Sequence, residues 1–346
     1  LSHAFEAAVV VPVHDGMPDV LDAVGSALAQ SLPPAEIVIV DDDSSDGSGD
    51  EVERRWPGRV RVVRGRFGSA AAARNAGWRA ARSPWIAFLD ADDLWMPEKL
   101  ALAADRLAAA PNTDWFFSDG AFRTLDGRLH ASWFGLYADL VEPWCGSPVE
   151  QLFEVNFVLT SSTVVRREAL VALGGFDERL SHAEDLDLWI RLARRGLATA
   201  ARKALVRYQH REGGLTRQTT NRLRGGVALF SRLAADPSLS GALRRRARRR
   251  ASLYHYKLGL NALREGRRAE ARRDFAAAWM FPERALPVAL GTAATLLPAA
   301  LFQRLRGRQA AVVAVTPMVA LKRVSLRGWD ANGAPARAPG AREERS

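Results

Sequence analysis

Three short apolar runs that each close on carboxylates constrain this chain more than any other feature. Ala8–Val13 ends at His14-Asp15, Ile37–Val40 at Asp41-Asp42-Asp43, and Trp85–Leu89 at Asp90-Ala91-Asp92. Short apolar runs bounded by polar turns suit strands covered on both faces. Between the first two, Val20, Leu21, Val24 and Leu28 recur at helical spacing before Pro33-Pro34, and a further helix is expected over Ser69–Ala81. Strand, helix and strand in alternation call for a mostly parallel sheet flanked by helices. In such sheets ligands bind beyond the carboxyl ends of the strands. The acids therefore converge on one edge, where the chemistry is expected.

The chain has 346 residues, enough for one large domain and an appendage. Its net charge of +10 conceals an asymmetry. Residues 1–221 hold 24 Lys/Arg against 31 Asp/Glu, whereas residues 222–346 hold 25 against 8. A mildly acidic body thus carries a basic tail, densest at Arg244-Arg245-Arg246-Ala247-Arg248-Arg249-Arg250. The single cysteine, Cys145, excludes an internal disulfide and fits a reducing compartment; a loop or packing role is expected for it. Leu1–Ala8 lacks the basic and apolar segments of a secretory signal.

From Leu223 onward the composition turns to Ala, Arg and Leu. Leu258-Gly259, Ala262, Gly266, Ala269, Phe275, Ala278 and Pro282 resemble one tetratricopeptide unit, a helix pair in which small residues permit close packing. Ala285–Gln303 carries no charge and approaches the length of a membrane span, but Pro287, Gly291 and Pro298 favour a buried or interfacial segment. The expected division is an α/β domain over 1–220, a basic helical extension over 221–327 suited to membrane association, and a disordered tail over 328–346.

A strand ending in Asp-x-Asp suits a hard cation. Carboxylates ligate Mg²⁺ or Mn²⁺, usually one or two of them together with substrate phosphates. The turn Asp41–Gly47 could instead be a solvated, helix-capping turn, and Glu184-Asp185 first-turn acids of a helix. The surrounding blocks weigh against those simpler readings. Val9–Asp15, Ala27–Ser31, Glu36–Ser48, Ala72–Gly77, Ala87–Trp95, Gly174–Glu178 and Ala183–Trp189 resemble, in order and spacing, family 2 glycosyltransferases, over roughly residues 8–215.

That resemblance implies a GT-A fold, with a Rossmann-like, mostly parallel sheet, and an inverting transferase that uses a nucleoside-diphosphate sugar. By position it implies that Asp42 hydrogen-bonds the base, with uracil expected, and that Pro12 and His14 line the same pocket. Asp90 falls at the ribose, Asp92 at the metal (Mn²⁺ or Mg²⁺), and Asp185 at the general base. Arg74 and His210 are candidate diphosphate contacts. Two departures stand out. His14-Asp15 replaces the family's frequent Tyr-Asn, and the Gln-x-x-Arg-Trp block of processive synthases is missing, so single or few transfers are expected.

The expected acceptor is a hydroxyl of a glycan or lipid-linked glycan, in the synthesis of cell-surface polysaccharide or glycoconjugate. His182, Trp133 and Trp144 are candidates for its groove, or for packing. The basic tail suggests attraction to anionic lipid, hence a cytoplasmic protein at the inner face of the cell membrane, with no nucleic-acid partner. Two alternatives remain. A sugar nucleotidyltransferase would need a Gly-rich basic signature near the N-terminus, and Val9–Gly16 offers none. A non-catalytic helical adaptor or nucleic-acid binder would explain the tail alone. A dehydrogenase is disfavoured, because no Gly-x-Gly-x-x-Gly follows the first run.

Overall fold

The structure, a computed structural model, describes residues 5–123, 129–140, 144–208, 219–279, 285–296 and 324–326. The first half runs β1 (Ala7–Val13), α1 (Asp19–Leu28), β2 (Glu36–Asp42), α2 (Ser48–Arg55), β3 (Arg61–Gly65), α3 (Ala70–Ala80) and β4 (Trp85–Phe88). There follow β5 (Leu94–Trp95), α4 (Lys99–Ala109), β6 (Thr113–Arg123), β7 (Leu129–His130), α5 (Phe134–Tyr137) and β8 (Ala138–Leu140). Next come β9 (Trp144–Gly146), α6 (Val149–Leu152), β10 (Val164–Arg166), α7 (Arg167–Leu173), α8 (Glu184–Arg195) and β11 (Leu197–Tyr208). The helices α9 (Thr219–Ala235), α10 (Gly241–Arg264), α11 (Arg268–Ala278) and α12 (Ala285–Leu296) and the strand β12 (Val324–Leu326) complete the chain.

The main sheet has the order β3-β2-β1-β4-β10-β6-β11-β5. The strands β1, β2, β3 and β4 pair in parallel, whereas β10 runs antiparallel to both β4 and β6. The expected mixed α/β architecture with a mostly parallel sheet is therefore present. Successive side chains of a strand point to opposite faces, and the apolar runs use both. Ala8 and Val10 of β1, Val38 and Val40 of β2, and Ile86 and Phe88 of β4 enter one core. Ala7, Val9, Val11, Ile37, Ile39, Ala87 and Leu89 enter the other.

The first core is covered by α3 and α8, through Ala71, Ala73, Trp78, Leu188 and Trp189. The second is covered by α1, α2 and α4, through Val20, Val24, Val52, Leu100 and Ala103. Helix α3 lies very close to the sheet, since a Cβ at Gly77 would fall 2.3 Å from Val10 Cγ1. Its N-terminus is capped by Ser69, whose Oγ accepts from the Ala72 N–H.

The basic helices are not peripheral to this body. Leu229, Phe230 and Leu233 of α9 and Ala247 and Ala251 of α10 lie in the first core. A small third core of Ala262, Leu263, Ala271, Phe275, Ala278 and Val288 joins α10, α11 and α12. Gly259 and Gly291 both abut the Phe275 ring, which accounts for the small residues of that stretch. Among the described residues no helix is long and apolar enough to cross a membrane. Cys145 sits in β9, paired with Thr199 of β11, rather than in a loop. The residues 297–303 of the uncharged stretch and the tail 328–346 lie outside the described residues.

Candidate active site

Asp42 closes β2, and the Asp90-Ala91-Asp92 turn follows β4. Because β1, β2 and β4 are parallel, His14, Asp42 and Asp90 emerge at the same sheet edge. Asp42 Oδ1 accepts from the backbone N–H groups of Phe67 and Gly68, which fixes the carboxylate and the chain after β3 together. His14 donates from Nδ1 to the Asp42 carbonyl at 2.6 Å. That bond, helped by Asp15, raises the imidazole's pKa above its ordinary value, while the ring itself remains exposed. Pro12 is half-buried in β1, beside Val40.

The polar turns do cap and cross-link, as their composition allows. Asp15 Oδ1 accepts from the Ser45 N–H and hydroxyl, the Gly16 N–H donates to Ser48 Oγ, and Asp46 accepts from the Met17 N–H. Asp41 turns inward: its Oδ1 accepts from the Ser44 N–H, and a Cβ at Gly49 would collide with its other oxygen at 2.1 Å. The two loops therefore form one braced rim. Asp42 and Asp43 both face the chain that follows β3, Asp42 through the Phe67 and Gly68 N–H groups and Asp43 through the exposed Arg66 side chain, which donates from Nε at 2.8 Å.

A second bracing set fixes the Asp90–Asp93 turn. Ser161 Oγ accepts from the Asp90 N–H at 3.0 Å and donates to the buried Asp93 carboxylate at 2.5 Å. Trp95 Nε1 donates to the Ser161 carbonyl. Asp93 is thus interior scaffolding, while Asp92 and Asp90 are only partly buried. Nothing in the linear run Asp-Ala-Asp-Asp separates these duties; the hydroxyl of Ser161, 71 positions beyond Asp90, does.

The two halves of the site meet at Arg74. From α3 its buried guanidinium donates to Asp90 Oδ1 at 2.7 Å and to Glu184 Oε1 at 2.9 Å. Burial opposes the charge on Arg74, but Asp90 and Glu184 overcome this and hold it firmly cationic. Glu184 and Asp185 open α8. Asp185 Oδ2 accepts from Asn156 Nδ2 at 2.9 Å, and Oδ1 from the Leu186 N–H at 2.6 Å. Burial raises the pKa of Asp185 above the ordinary carboxylate range, against the pull of the Leu186 N–H and of Arg74, and Asp90 adds to the rise. Burial and the neighbouring Asp185 raise Glu184 likewise.

Asp42, Asp90, Asp92, Arg74 and Asp185 were candidates from the sequence, whereas Glu184 appeared only as a first-turn acid. Asn156 and Ser161 carried no local signal, being polar residues in a stretch without a motif. His210 lies outside the described residues. His182 is buried just before α8, and among the described residues its Nε2 has no hydrogen-bond partner. Trp133 packs against Phe122, Tyr137 and Tyr208, and Trp144 against Phe117, so both belong to aromatic clusters.

A divalent cation can be tested against this donor set. Among the described residues no group of three or more His, Cys, Asp or Glu gathers to hold a metal. One or two carboxylates completed by phosphate oxygens are nevertheless the ordinary setting of Mg²⁺ or Mn²⁺. The partly buried Asp92, on the turn after β4, is a carboxylate of the kind that fits such a cation.

Several known proteins resemble this chain in sequence or in fold. The model of glycosyl transferase family 2 matches residues 8–142. An uncharacterised glycosyltransferase of Rickettsia typhi is 25% identical over 230 residues, 65% of this chain and 70% of that one. The chain spans less than two thirds of the other rickettsial relatives it matches. Among solved structures, S. aureus TarS 1–349 in complex with UDP-GlcNAc superposes with a TM-score of 0.61 at 16% identity, covering 82% of this chain and 83% of that one. The mannosyltransferase PcManGT of Pyrobaculum calidifontis, in complex with GDP-Man and Mn²⁺, gives 0.57 at 21% identity, covering 92% and 88%. The family match falls on the strands that build the acidic edge, and the architecture around them is that of the solved GT-A glycosyltransferases, so the fold of this chain is of the GT-A type.

Proposed function

We propose that the chain transfers a single sugar, with inversion, from a nucleoside diphosphate donor to a hydroxyl of a glycan or lipid-linked glycan. One observation carries the reading: Asp185, a half-buried carboxylate oriented by two hydrogen bonds, lies beside the Arg74–Asp90 pair at the carboxyl edge of the sheet. Glu184 is committed to Arg74, so Asp185 is the acid left to take the proton from the acceptor hydroxyl. Its raised pKa makes it a stronger base than an exposed aspartate, nearer the pH at which it works. Attack from the face opposite the departing diphosphate inverts the anomeric carbon and needs no covalent enzyme intermediate.

Asp42 offers its second oxygen to the base, with Pro12 and His14 beside it, and Asp90 faces the ribose. UDP is the expected carrier, and the UDP-GlcNAc and GDP-Man complexes of the fold neighbours keep both bases in the test. Arg74, buried between Asp90 and Glu184, would act on the donor by orienting Asp90. Asp92 would hold Mn²⁺ or Mg²⁺, which when bound offsets the charge building on the leaving diphosphate. The experiment is a panel of nucleotide sugars with Mn²⁺ or Mg²⁺, read by thermal shift and donor hydrolysis. Stabilisation by one base is expected; failure of every nucleoside diphosphate to stabilise the metal-supplemented protein would exclude the donor site.

The extension is proposed to face anionic lipid at the cytoplasmic side of the membrane. Arg246 of α10 is spent on Glu150 and Glu154, but Arg245, Arg248 and Arg249 are exposed. Each basic residue near an anionic surface contributes about 1 kcal/mol. Because α9 and α10 lie in the main core, the test is substitution of those three arginines by Glu, not deletion. Flotation with phosphatidylserine vesicles should be lost, and unchanged flotation would exclude the surface.

A further inference from the structure

The acids Asp177 and Asp187, on either side of the catalytic turn, are both held by one residue of the C-terminal extension. Arg232, on α9, donates from Nη1 to Asp177 Oδ2 and from Nη2 to Asp187 Oδ1. Asp187 lies two positions beyond Asp185 on α8 and is buried, with its side chain 3% exposed. Its other oxygen accepts from Arg191 Nε at 2.7 Å. Arg191 in turn donates to the carbonyls of Leu173 at 3.0 Å and Gly175 at 2.8 Å, which ties the start of α8 to the Gly174-Gly175 turn. Asp177, Asp187, Arg191 and Arg232 also line an open cavity of about 720 Å³ beside α8.

The same helix also touches the catalytic turn directly. A Cβ at Gly225 would fall 2.5 Å from the His182 carbonyl oxygen, so α9 presses on the backbone three residues before Asp185. Between the two contacts Ala183 is held at φ 67°, in the left-handed region that a non-glycine residue adopts at a cost. A backbone placed there persists when its surroundings over-determine it. Arg232 and Gly225 supply that constraint from outside the segment itself.

We infer that the helix α9, through the Arg232 fork onto Asp177 and Asp187 and the close seat of Gly225 on His182, positions the catalytic turn. The extension is then part of the catalytic apparatus as well as a carrier of basic charge. Arg232 is a positioning residue, since its contacts run to Asp177 and Asp187 and it acts through α8. The inference rests on the reading of Asp185 as base.

The test compares Arg232→Ala, Arg232→Lys and Gly225→Ala in the full chain, with Asp185→Asn alongside. Donor binding is read by calorimetry with UDP and GDP in the presence of Mn²⁺, transfer by kcat, and rates are normalised to the folded fraction. Arg232→Ala should lower kcat at least tenfold while the nucleotide Kd stays within twofold. Arg232→Lys, which reaches one carboxylate at a time, should recover part of the loss. Gly225→Ala should reproduce the defect by displacing the His182 backbone. A kcat within twofold of wild type for the folded fraction of Arg232→Ala and Gly225→Ala would overturn the clamp. If Arg232→Ala does not fold, Arg232→Lys and Gly225→Ala decide by the same criterion. Should Asp185→Asn transfer normally, the base assignment has failed; should it be inactive while the α9 variants work normally, the clamp alone has.

Discussion

Arg74 and Glu184, 110 positions apart, meet as a buried ion pair, Nη1 to Oε1 at 2.9 Å. The second arm of the same guanidinium holds Asp90. One side chain on α3 therefore ties the carboxyl edge of the sheet to the helix that carries Asp185. Two charges this deep cost much to desolvate, and they are tolerated because each satisfies the other. The pair is evidence of a specified geometry more than of net stability.

Removing that link should be costly in both respects. Arg74→Met leaves Asp90 and Glu184 without their cation, a loss of roughly 3–5 kcal/mol where one partner of a buried pair is removed. Arg74→Lys keeps the charge but cannot fork to both acids. Denaturant unfolding should show the large loss for Met and a smaller one for Lys, with transfer impaired in both. A Lys variant with wild-type kcat would show that the fork is not needed.

Asp185 and Glu184 give a signed dependence on pH. Both titrate above the usual carboxylate range in the folded chain, so the folded state retains protons that the unfolded chain has released. Stability therefore falls as pH rises from the ordinary carboxylate range through the folded-state titration. Asp185→Asn should flatten that fall, leave the neutral-pH melting temperature equal or higher, and reduce transfer by about 10²-fold or more. The acid limb of kcat in the unsubstituted enzyme should lie above the ordinary aspartate value of about 3.9. A limb at or below it would contradict the half-buried base.

Lys99 shifts in the other direction. It is fully buried at the start of α4, its Nζ has no hydrogen-bond partner among the described residues and lies 4.4 Å from the centroid of Trp95, and burial lowers its pKa to about 7. Between that pH and the ordinary lysine range the unfolded chain binds a proton that the folded chain does not, so stability rises with pH across this window. Lys99→Met should abolish the rise and stabilise the fold at neutral pH by roughly 1–4 kcal/mol, as hydrophobic replacement of buried charge often does. Melting curves from pH 6 to 10 decide it; a destabilised Met variant would mean that the amine is better solvated than its burial indicates.

Ala183 marks strain next to Glu184 and Asp185. At φ 67° it occupies backbone that glycine enters freely. Ala183→Gly should raise stability by about 0.5–1 kcal/mol, measured by denaturant midpoint at constant slope. A drop instead would show that the packing of its methyl group against the core outweighs the relief.

Much of this protein is written locally. The apolar runs at Ala8–Val13, Ile37–Val40 and Trp85–Leu89 are strands because both their faces are buried, and burial on both faces leaves a continuous apolar signature. Their order with α1 and α3 between them dictates parallel pairing, and parallel pairing puts Asp42 and Asp90 on one edge. The identity of each acid's partner is not local. Asp93 looks like Asp92 until Ser161 takes it inward, and Glu184 looks like any first-turn acid until Arg74 arrives from α3. The change of composition near residue 220 is plain, yet Leu229, Phe230 and Ala247 pack into the same core as Trp189, and Arg232 reaches behind Asp185 to Asp187. Periodicity records which face of an element is buried. What it is buried against, and hence which carboxylate is held for chemistry and which for structure, is decided only when distant segments meet.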